Sequence, residues 1–154
     1  MALSHLVRTE LVFPRLKAGS RDELLRELAR RLESEGLVRK SGKLLELLLE
    51  REELGSTAVG RGVAVPHCKM PGLTHSVLAV ATSPEGVEFG AEDGRPTRLV
   101  FLLVSPSSSP ADHLRSLAAI SGWIRTHPDL DSLVALSDRE ELTRRLNDEL
   151  SGGA

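Results

Sequence analysis

A histidine directly follows an apolar, glycine-rich stretch in VGRGVAVPHC, residues 59–68. The apolar run before Pro66 is typical of a strand, and a proline has no N–H group to donate to a neighbouring strand. We therefore predict a strand over 59–66 whose pairing weakens at Pro66, with His67 at its end. An imidazole placed there can meet solvent while its backbone stays anchored, and its neutral form supplies a nitrogen nucleophile near pH 7.

The other four histidines stand in different surroundings. We expect His5, near the amino terminus, and His127, before a proline, to be exposed or to cap a helix. His75 should be exposed at the start of a strand. His113 lies in the first turn of a predicted helix, at the rim of its buried face. The partial positive charge of a helix N-terminus disfavours imidazolium and favours an anion. Taken alone, a histidine in that position is more often structural than catalytic.

Four other kinds of chemistry find little support. No common zinc spacing occurs, and the adjacent side chains of His67 and Cys68 would point to opposite faces of a strand. Ser56 and Thr57 lack the G-x-S-x-G turn of a catalytic serine, and GRG at 60–62 lacks the third glycine of a dinucleotide-binding loop. Cys68 would need a lowered pKa to act as a nucleophile. We therefore expect neither a metal nor another cofactor.

Length and composition limit the class of protein. The 154 residues suffice for one domain with a buried core, which we expect at 1–150, with a frayed tail at 151–154. The 20 basic and 22 acidic residues give no basic surface for nucleic acid, and the 3% of aromatic residues give little stacking surface. One cysteine excludes an intrachain disulfide and suits a cytoplasmic protein. No apolar stretch of about 18 residues occurs, so we expect no membrane insertion.

The hydrophobic pattern predicts helices and strands that alternate along the chain. Ser20 and Glu23 have the spacing of a capping box before a leucine-lined helix that should stop at Gly36. Two further helices are predicted at about 42–53 and 110–125, a short one near Pro128, and a last one after the capping-box pattern SDRE at 137–140. The predicted strands cover 11–16, 59–66, 76–82 and 98–104. The strand at 98–104 is apolar without alternation, which is typical of a central strand covered on both faces. The fold class is therefore α/β, with a mixed sheet flanked by helices.

The segment REELGSTAVGRGVAVPHCK, residues 51–69, resembles the active-site segment of a known family. That family is the enzyme IIA component of the phosphoenolpyruvate-dependent sugar phosphotransferase system, in its fructose, mannitol and nitrogen-regulatory class. The matching residues are Arg51, Glu52, Ser56, Thr57, Gly60, Gly62, Val63, Ala64, Val65, Pro66 and His67. Further matches are DG at 93–94, LVFLLVSP at 99–106 and HLRSLAAIS at 113–121. The resemblance covers nearly the whole chain, with Ala58 where the family commonly has glycine.

The resemblance implies a phosphohistidine carrier of the phosphotransferase system, with a mixed sheet flanked by helices. In the family, the histidine matching His67 accepts a phosphoryl group from the carrier protein HPr or a paralogue. It then passes the group to an enzyme IIB partner or keeps it as a regulatory mark to which a regulated target protein responds. The residue matching His113 lies beside the acceptor as a helper, and the one matching Arg51 meets the phosphoryl charge.

These residue types suit phosphoryl transfer on physical grounds as well. The reaction needs a placed nucleophile and positive or dipolar groups around the equatorial oxygens. Arg51 offers a planar fork for phosphate oxygens, and Ser56 or Thr57 can add a hydroxyl donor. The small residues of GRGVA would let a partner approach the backbone closely. Without the family pattern, a solvated charge at a helix end would be the preferred interpretation of Arg51.

Two alternatives to the carrier function stay open. One is a regulatory binding module in which phosphorylation only changes the affinity for a partner. The other is an interaction domain that has lost the chemistry, against which the intact His67, His113 and Arg51 argue. The sequence does not indicate a particular sugar.

Overall fold

The computed structural model describes residues 7–126 and 129–152, so His5, His127 and the last residues of the tail lie outside the described residues. The helices within these ranges are α1 (Arg21–Ser34), α2 (Ser41–Glu53), α3 (Pro110–Thr126), α4 (Leu130–Val134) and α5 (Arg139–Gly152). The strands are β1 (Val12–Phe13), β2 (Ala58–Gly60), β3 (Val63–Ala64), β4 (His67–Met70), β5 (Val77–Val87) and β6 (Thr97–Pro106). Helix α5 therefore continues into the predicted tail as far as Gly152.

All six of these strands belong to one mixed sheet. The order is β1-β5-β6-β3-β2, and β4 also pairs with β6. Strands β5 and β6 are antiparallel, whereas β3 and β4 run parallel to β6, and β1 runs parallel to β5. The prediction of a mixed sheet flanked by helices is confirmed.

Strand β6 lies at the centre of the sheet and is buried on both faces. One face contributes Leu99, Phe101 and Leu103 to a core shared with α3, α4 and α5. The other contributes Val100, Leu102 and Val104 to a core shared with α1 and α2. Each of these six side chains is at most 1% exposed, and burial of one such side chain contributes about 1.5–3 kcal/mol. This double burial explains why the strand is apolar without alternation.

The first helix begins and ends as its sequence predicts. The Ser20 hydroxyl oxygen accepts the N–H of Glu23 at 3.2 Å, and the Glu23 carboxylate accepts the N–H of Gly19 at 3.0 Å. The helix ends two residues before Gly36, whose φ of 76° is in the left-handed region that glycine adopts without strain. Its leucines pack into the core shared with α2.

The predicted single strand over 59–66 is wrong. The chain turns back at Arg61 and Gly62, with φ values of 59° and 81°, so that β2 and β3 form an antiparallel hairpin. The carboxylate of Asp93 fixes this turn by accepting the N–H of Arg61 at 2.9 Å. A Cβ at Gly62 would lie 2.8 Å from Leu130 Cδ2. Gly62 therefore serves the turn and its internal packing, and the close approach of a partner to this segment stays a prediction.

Pro66 interrupts pairing with β6 but does not end it. Its carbonyl accepts the N–H of Leu103 at 3.0 Å, and β4 then resumes the parallel register with His67 opposite Leu103. His67 therefore begins a strand, whereas the sequence predicted that it ends one. The reason is that a proline lacks only the donor, so the chain can rejoin the neighbouring strand one residue later.

Candidate active site

Two contacts hold the ring of His67 and make one ring nitrogen a hydrogen-bond donor and the other an acceptor. Nδ1 lies 2.7 Å from the carbonyl oxygen of Val65. Only an N–H can satisfy that acceptor, so Nδ1 bears the hydrogen and Nε2 keeps its lone pair. Nε2 in turn lies 3.4 Å from Nε of Arg51. The half-buried ring therefore presents Nε2 as its nucleophilic atom, beside a positive charge.

Arg51 reaches His67 from the last turn of α2. Its Nη1 also donates to the carbonyl of Gly55 at 2.9 Å, which holds the guanidinium at the end of its own helix. The side chain is half-buried and directed at an imidazole, unlike a solvated charge at a helix end. A guanidinium has several N–H donors, so these two contacts leave capacity for phosphate oxygens.

His113, on α3, is the third residue of this group and lies close to His67. It lies in the first turn of α3, as predicted, and is 5% exposed. The centroids of the His67 and His113 rings lie 5.5 Å apart, with the ring planes at 50°. Nδ1 of His113 lies 2.7 Å from Oγ of Ser105, which is fully buried on β6. The structure thus brings together the histidines and the arginine that lie far apart in the sequence.

The surroundings keep both imidazoles neutral near pH 7. Burial lowers the pKa of His67 below its ordinary value of 6.5, and the positive charge of Arg51 lowers it further, against the opposing effects of the Val65 carbonyl and the Glu52 carboxylate. Burial also lowers the pKa of His113, and the ammonium group of Lys69 and the nearby ring of His67, which would repel a second positive charge, add to the effect. A neutral ring can either attack an electrophile or donate a hydrogen bond to an anion.

Ser56 and Thr57 use their hydroxyl groups within the protein in this structure. Ser56 donates to the carbonyl of Phe89, and Thr57 donates to the carboxylate of Glu52. The N–H of Thr57 also donates to Glu52 Oε1 at 3.1 Å. Either hydroxyl would have to turn before it could bind a phosphoryl oxygen, and that role stays a prediction.

Glu52, next to Arg51, holds the segment after α2 in place, a role that the sequence analysis did not predict. It is 5% exposed, an unusual position for a carboxylate, and it fixes the link between α2 and β2 through both groups of Thr57. The signal was present, because Glu52 stands beside Arg51 in the recognised pattern. By contrast, nothing in the local sequence indicates that the Val65 carbonyl and Ser105 orient the two histidines.

The alternative chemistries gain no support from the structure. Cys68 packs into the core shared with α1 and α2, where burial raises the pKa of its thiol to about 12. A thiol with such a pKa is not a nucleophile near neutral pH. Within residues 7–126 and 129–152, no three histidine, cysteine or acidic side chains come close enough to hold a metal ion. In the same part of the chain, no helix has the length and apolar character needed to cross a bilayer.

The fold and the site together define a mixed α/β domain with a histidine pair and an arginine at one edge of its sheet. The family model for the phosphoenolpyruvate-dependent sugar phosphotransferase system, EIIA 2, matches residues 5–149. The chain belongs to this family of phosphotransferase domains.

Individual relatives agree with this assignment. The chain is 38% identical, over 142 residues and 92% of each chain, to a nitrogen regulatory protein of Bradyrhizobium diazoefficiens. It superposes on the crystal structure of the nitrogen regulatory protein IIA-Ntr of Neisseria meningitidis with a TM-score of 0.84 and 30% identity, covering 94% of this chain and 98% of the other. It shares its fold with the mannitol enzyme IIA of Escherichia coli, solved in complex with phosphorylated enzyme IIB, at a TM-score of 0.66 and 22% identity, covering 93% and 95% of the two chains.

Proposed function

We propose that this protein is a phosphohistidine carrier that accepts one phosphoryl group on Nε2 of His67 from a phosphorylated HPr-type protein. It then passes the group to an enzyme IIB partner or holds it as a regulatory mark. The observation that carries the proposal is the orientation of His67. Its Nδ1–H is bound to the Val65 carbonyl, and its Nε2 lone pair faces the guanidinium of Arg51.

The transfer balances without a metal or a nucleotide. Nε2 of His67 attacks the phosphorus, a new N–P bond forms, and the N–P bond of the donor breaks. The electron pair returns to the nitrogen of the donor imidazole, which leaves as a neutral ring when its second nitrogen is protonated. The ring of His67 becomes cationic and keeps its Nδ1–H against the Val65 carbonyl, 2.7 Å away. That carbonyl therefore supports the charge that develops on the acceptor.

Arg51 and His113 supply the positive and dipolar surroundings in this proposal. As the phosphoryl group arrives, the N–H of Arg51 Nε that donates to Nε2 of His67 donates to a phosphoryl oxygen instead. His113 lies across the gap from His67, in the first turn of α3, where the helix dipole favours negative charge. Ser56 or Thr57 would add a hydroxyl donor only after leaving its present acceptor.

A reconstituted phosphorylation assay tests the proposal. The protein is incubated with phosphoenolpyruvate, enzyme I and either HPr or its nitrogen-class paralogue, and the product is analysed by intact mass and acid lability. We expect one acid-labile phosphoryl group per chain with at least one of the two carriers. No adduct with either carrier, or an acid-stable adduct, would overturn the proposal.

A regulatory use of the same phosphoryl group is the second candidate function. It is favoured by the nitrogen regulatory proteins that resemble this chain over most of its length. The two uses separate when the phosphorylated protein is mixed with purified fructose- and mannitol-type IIB domains from the same organism. Rapid transfer to a IIB domain supports a place in sugar transport. A long-lived adduct in the presence of every IIB domain supports the regulatory function.

A further inference from the structure

Ser105 and His113 form a buried hydrogen bond next to His67. Ser105 lies on β6, opposite Lys69 of β4, and its side chain is fully buried. Because side chains alternate along a strand, Ser105 shares a face with Leu103, the register partner of His67. Its Oγ lies 2.7 Å from Nδ1 of His113. Strand β6 thus holds the second histidine through one hydroxyl group.

The direction of this hydrogen bond decides which nitrogen of His113 bears the hydrogen. Within the described part of the chain, Ser105 Oγ forms no other hydrogen bond. If Nδ1–H donated to the hydroxyl, the hydroxyl proton of Ser105 would be buried without an acceptor. An unsatisfied donor in a buried site loses its hydration without replacement. The alternative, in which Oγ–H donates to Nδ1, satisfies both groups and leaves the hydrogen on Nε2.

We propose that Ser105 is a positioning residue that fixes His113 as its Nε2–H tautomer, so that this N–H donates to the phosphoryl group on His67. The part of this inference that names the phosphoryl group as the hydrogen-bond acceptor rests on the proposed function. The tautomer of His113 is independent of that function. The ring centroids of the two histidines lie 5.5 Å apart, so an N–H group of His113 is near enough to reach an oxygen of a phosphoryl group bound to His67. A His113 ring with its lone pair on Nε2 would repel those oxygens.

The tautomer can be read directly by nuclear magnetic resonance of the ¹⁵N-labelled protein, without any partner. We expect His113 Nδ1 to show the shift of an unprotonated nitrogen and Nε2 that of an N–H. In Ser105→Ala the loss of the donor should leave a mixture of tautomers. The pKa of His113 should also rise by about half to one unit, because the hydrogen bond stabilises the neutral ring. The groups facing His113 are His67 and Lys69 on β4, and neither is altered.

Two control variants separate positioning from packing. Ser105→Thr retains the hydroxyl and should restore the tautomer. Thr97→Val removes a buried hydroxyl from the same strand, at its far end, where Oγ1 has no partner among the described residues. This second variant should leave the His113 spectrum unchanged. A spectrum that changes equally in Thr97→Val and Ser105→Ala would show a general effect on the strand and would overturn the proposal.

Phosphoryl transfer provides the functional readout. With phosphorylated HPr-type carrier as the donor, Ser105→Ala should transfer about three- to tenfold more slowly, the effect of one lost hydrogen bond. Ser105→Thr should lie close to the wild type. An Nδ1–H tautomer in the wild type, or a full rate in Ser105→Ala, contradicts the inference. If the wild type takes no phosphoryl group but shows the expected tautomer, the proposed function fails while the role of Ser105 in setting the tautomer holds.

Discussion

His67 and His113 have different hydrogen-bond partners, and this difference gives them different proposed roles. His67 donates to a backbone carbonyl through Nδ1, and the lone pair of its Nε2 accepts the N–H of Arg51 Nε. His113 is bonded to a serine hydroxyl and is more deeply buried. The first arrangement suits a nucleophile and the second suits a hydrogen-bond donor.

Removal of each histidine should therefore have a different effect. His67→Ala should abolish phosphorylation, because no neighbouring group replaces the attacking nitrogen. His113→Ala should still accept one phosphoryl group, at a rate lower by about ten- to a hundredfold, since one donor to the transition state is lost. Quench-flow phosphorylation and melting temperature are measured on both variants. If His113→Ala loses stability but transfers at the full rate, His113 has only a packing role.

The lowered pKa values of the two histidines predict how stability depends on pH. Between the native pKa values and 6.5, the unfolded chain binds more protons than the folded one. The contribution of the two histidines to the free energy of unfolding is therefore complete above about pH 6.5 and is lost as the pH falls. Urea denaturation from about pH 8 to about pH 5 should show this loss, with a flatter profile in His113→Gln. Equal pH dependence in variant and wild type would show that His113 makes no contribution.

The sequence indicated the side chains of the candidate site but not the groups that orient them. His67, His113 and Arg51 were predicted from the recognised pattern, and the structure brings them together. The Val65 carbonyl and Ser105 were not foreseen, because the first depends on the path of the backbone around Pro66 and the second on how α3 packs against β6. Neither is encoded in a local motif.

At the scale of elements, two features position His67 and Arg51. Pro66 interrupts the edge of the sheet, and pairing resumes at His67 opposite Leu103. The link between α2 and β2 holds Arg51 in place through the buried carboxylate of Glu52. The central strand and the first helix were predicted well, because both depend on local hydrophobic pattern and capping. The hairpin at Arg61 was missed, because its left-handed turn depends on the distant Asp93.

Loss of the Glu52 carboxylate should destabilise this link. Glu52→Ala leaves the N–H and the hydroxyl of Thr57 without their acceptor, so the free energy of unfolding should fall by about 2–3 kcal/mol. Glu53→Ala is the matched control, since Glu53 is the exposed neighbour in the same helical turn. It should change the urea midpoint little. Similar midpoints for the two variants would mean that Glu52 does not stabilise the link.

At the scale of the whole molecule, the site lies where the two cores meet the surface. Helix α2 belongs to one core and α3 to the other, and each sends a side chain to the same sheet edge. Two of the exposed large apolar side chains are close in sequence to residues of the site. Leu54 follows Arg51 by three residues and is 84% exposed, and Leu114 follows His113 and is 66% exposed. Contiguous exposed apolar patches mark docking surfaces, and we predict that these two leucines belong to one.

The two leucines should contribute to docking of the phosphoryl donor. Leu54→Asp and Leu114→Asp should each raise the KM for the phosphorylated carrier about tenfold and leave kcat nearly unchanged, since they remove apolar contact but not chemistry. Ser34→Asp, at an exposed position on α1, is the control for one added acidic charge. An equal rise in KM for Ser34→Asp would assign the effect to net charge and not to docking.

The atom that receives the phosphoryl group tests the central claim most directly. The ¹⁵N-labelled protein is phosphorylated with phosphoenolpyruvate, enzyme I and an HPr-type carrier, and the phosphorus–nitrogen couplings and ring shifts are recorded. The hydrogen bond from Nδ1 to Val65 predicts a single phosphoryl group, bound to Nε2 of His67, with Nδ1 still protonated. A phosphoryl group on Nδ1 of His67, on His113 or on any other residue would contradict the account.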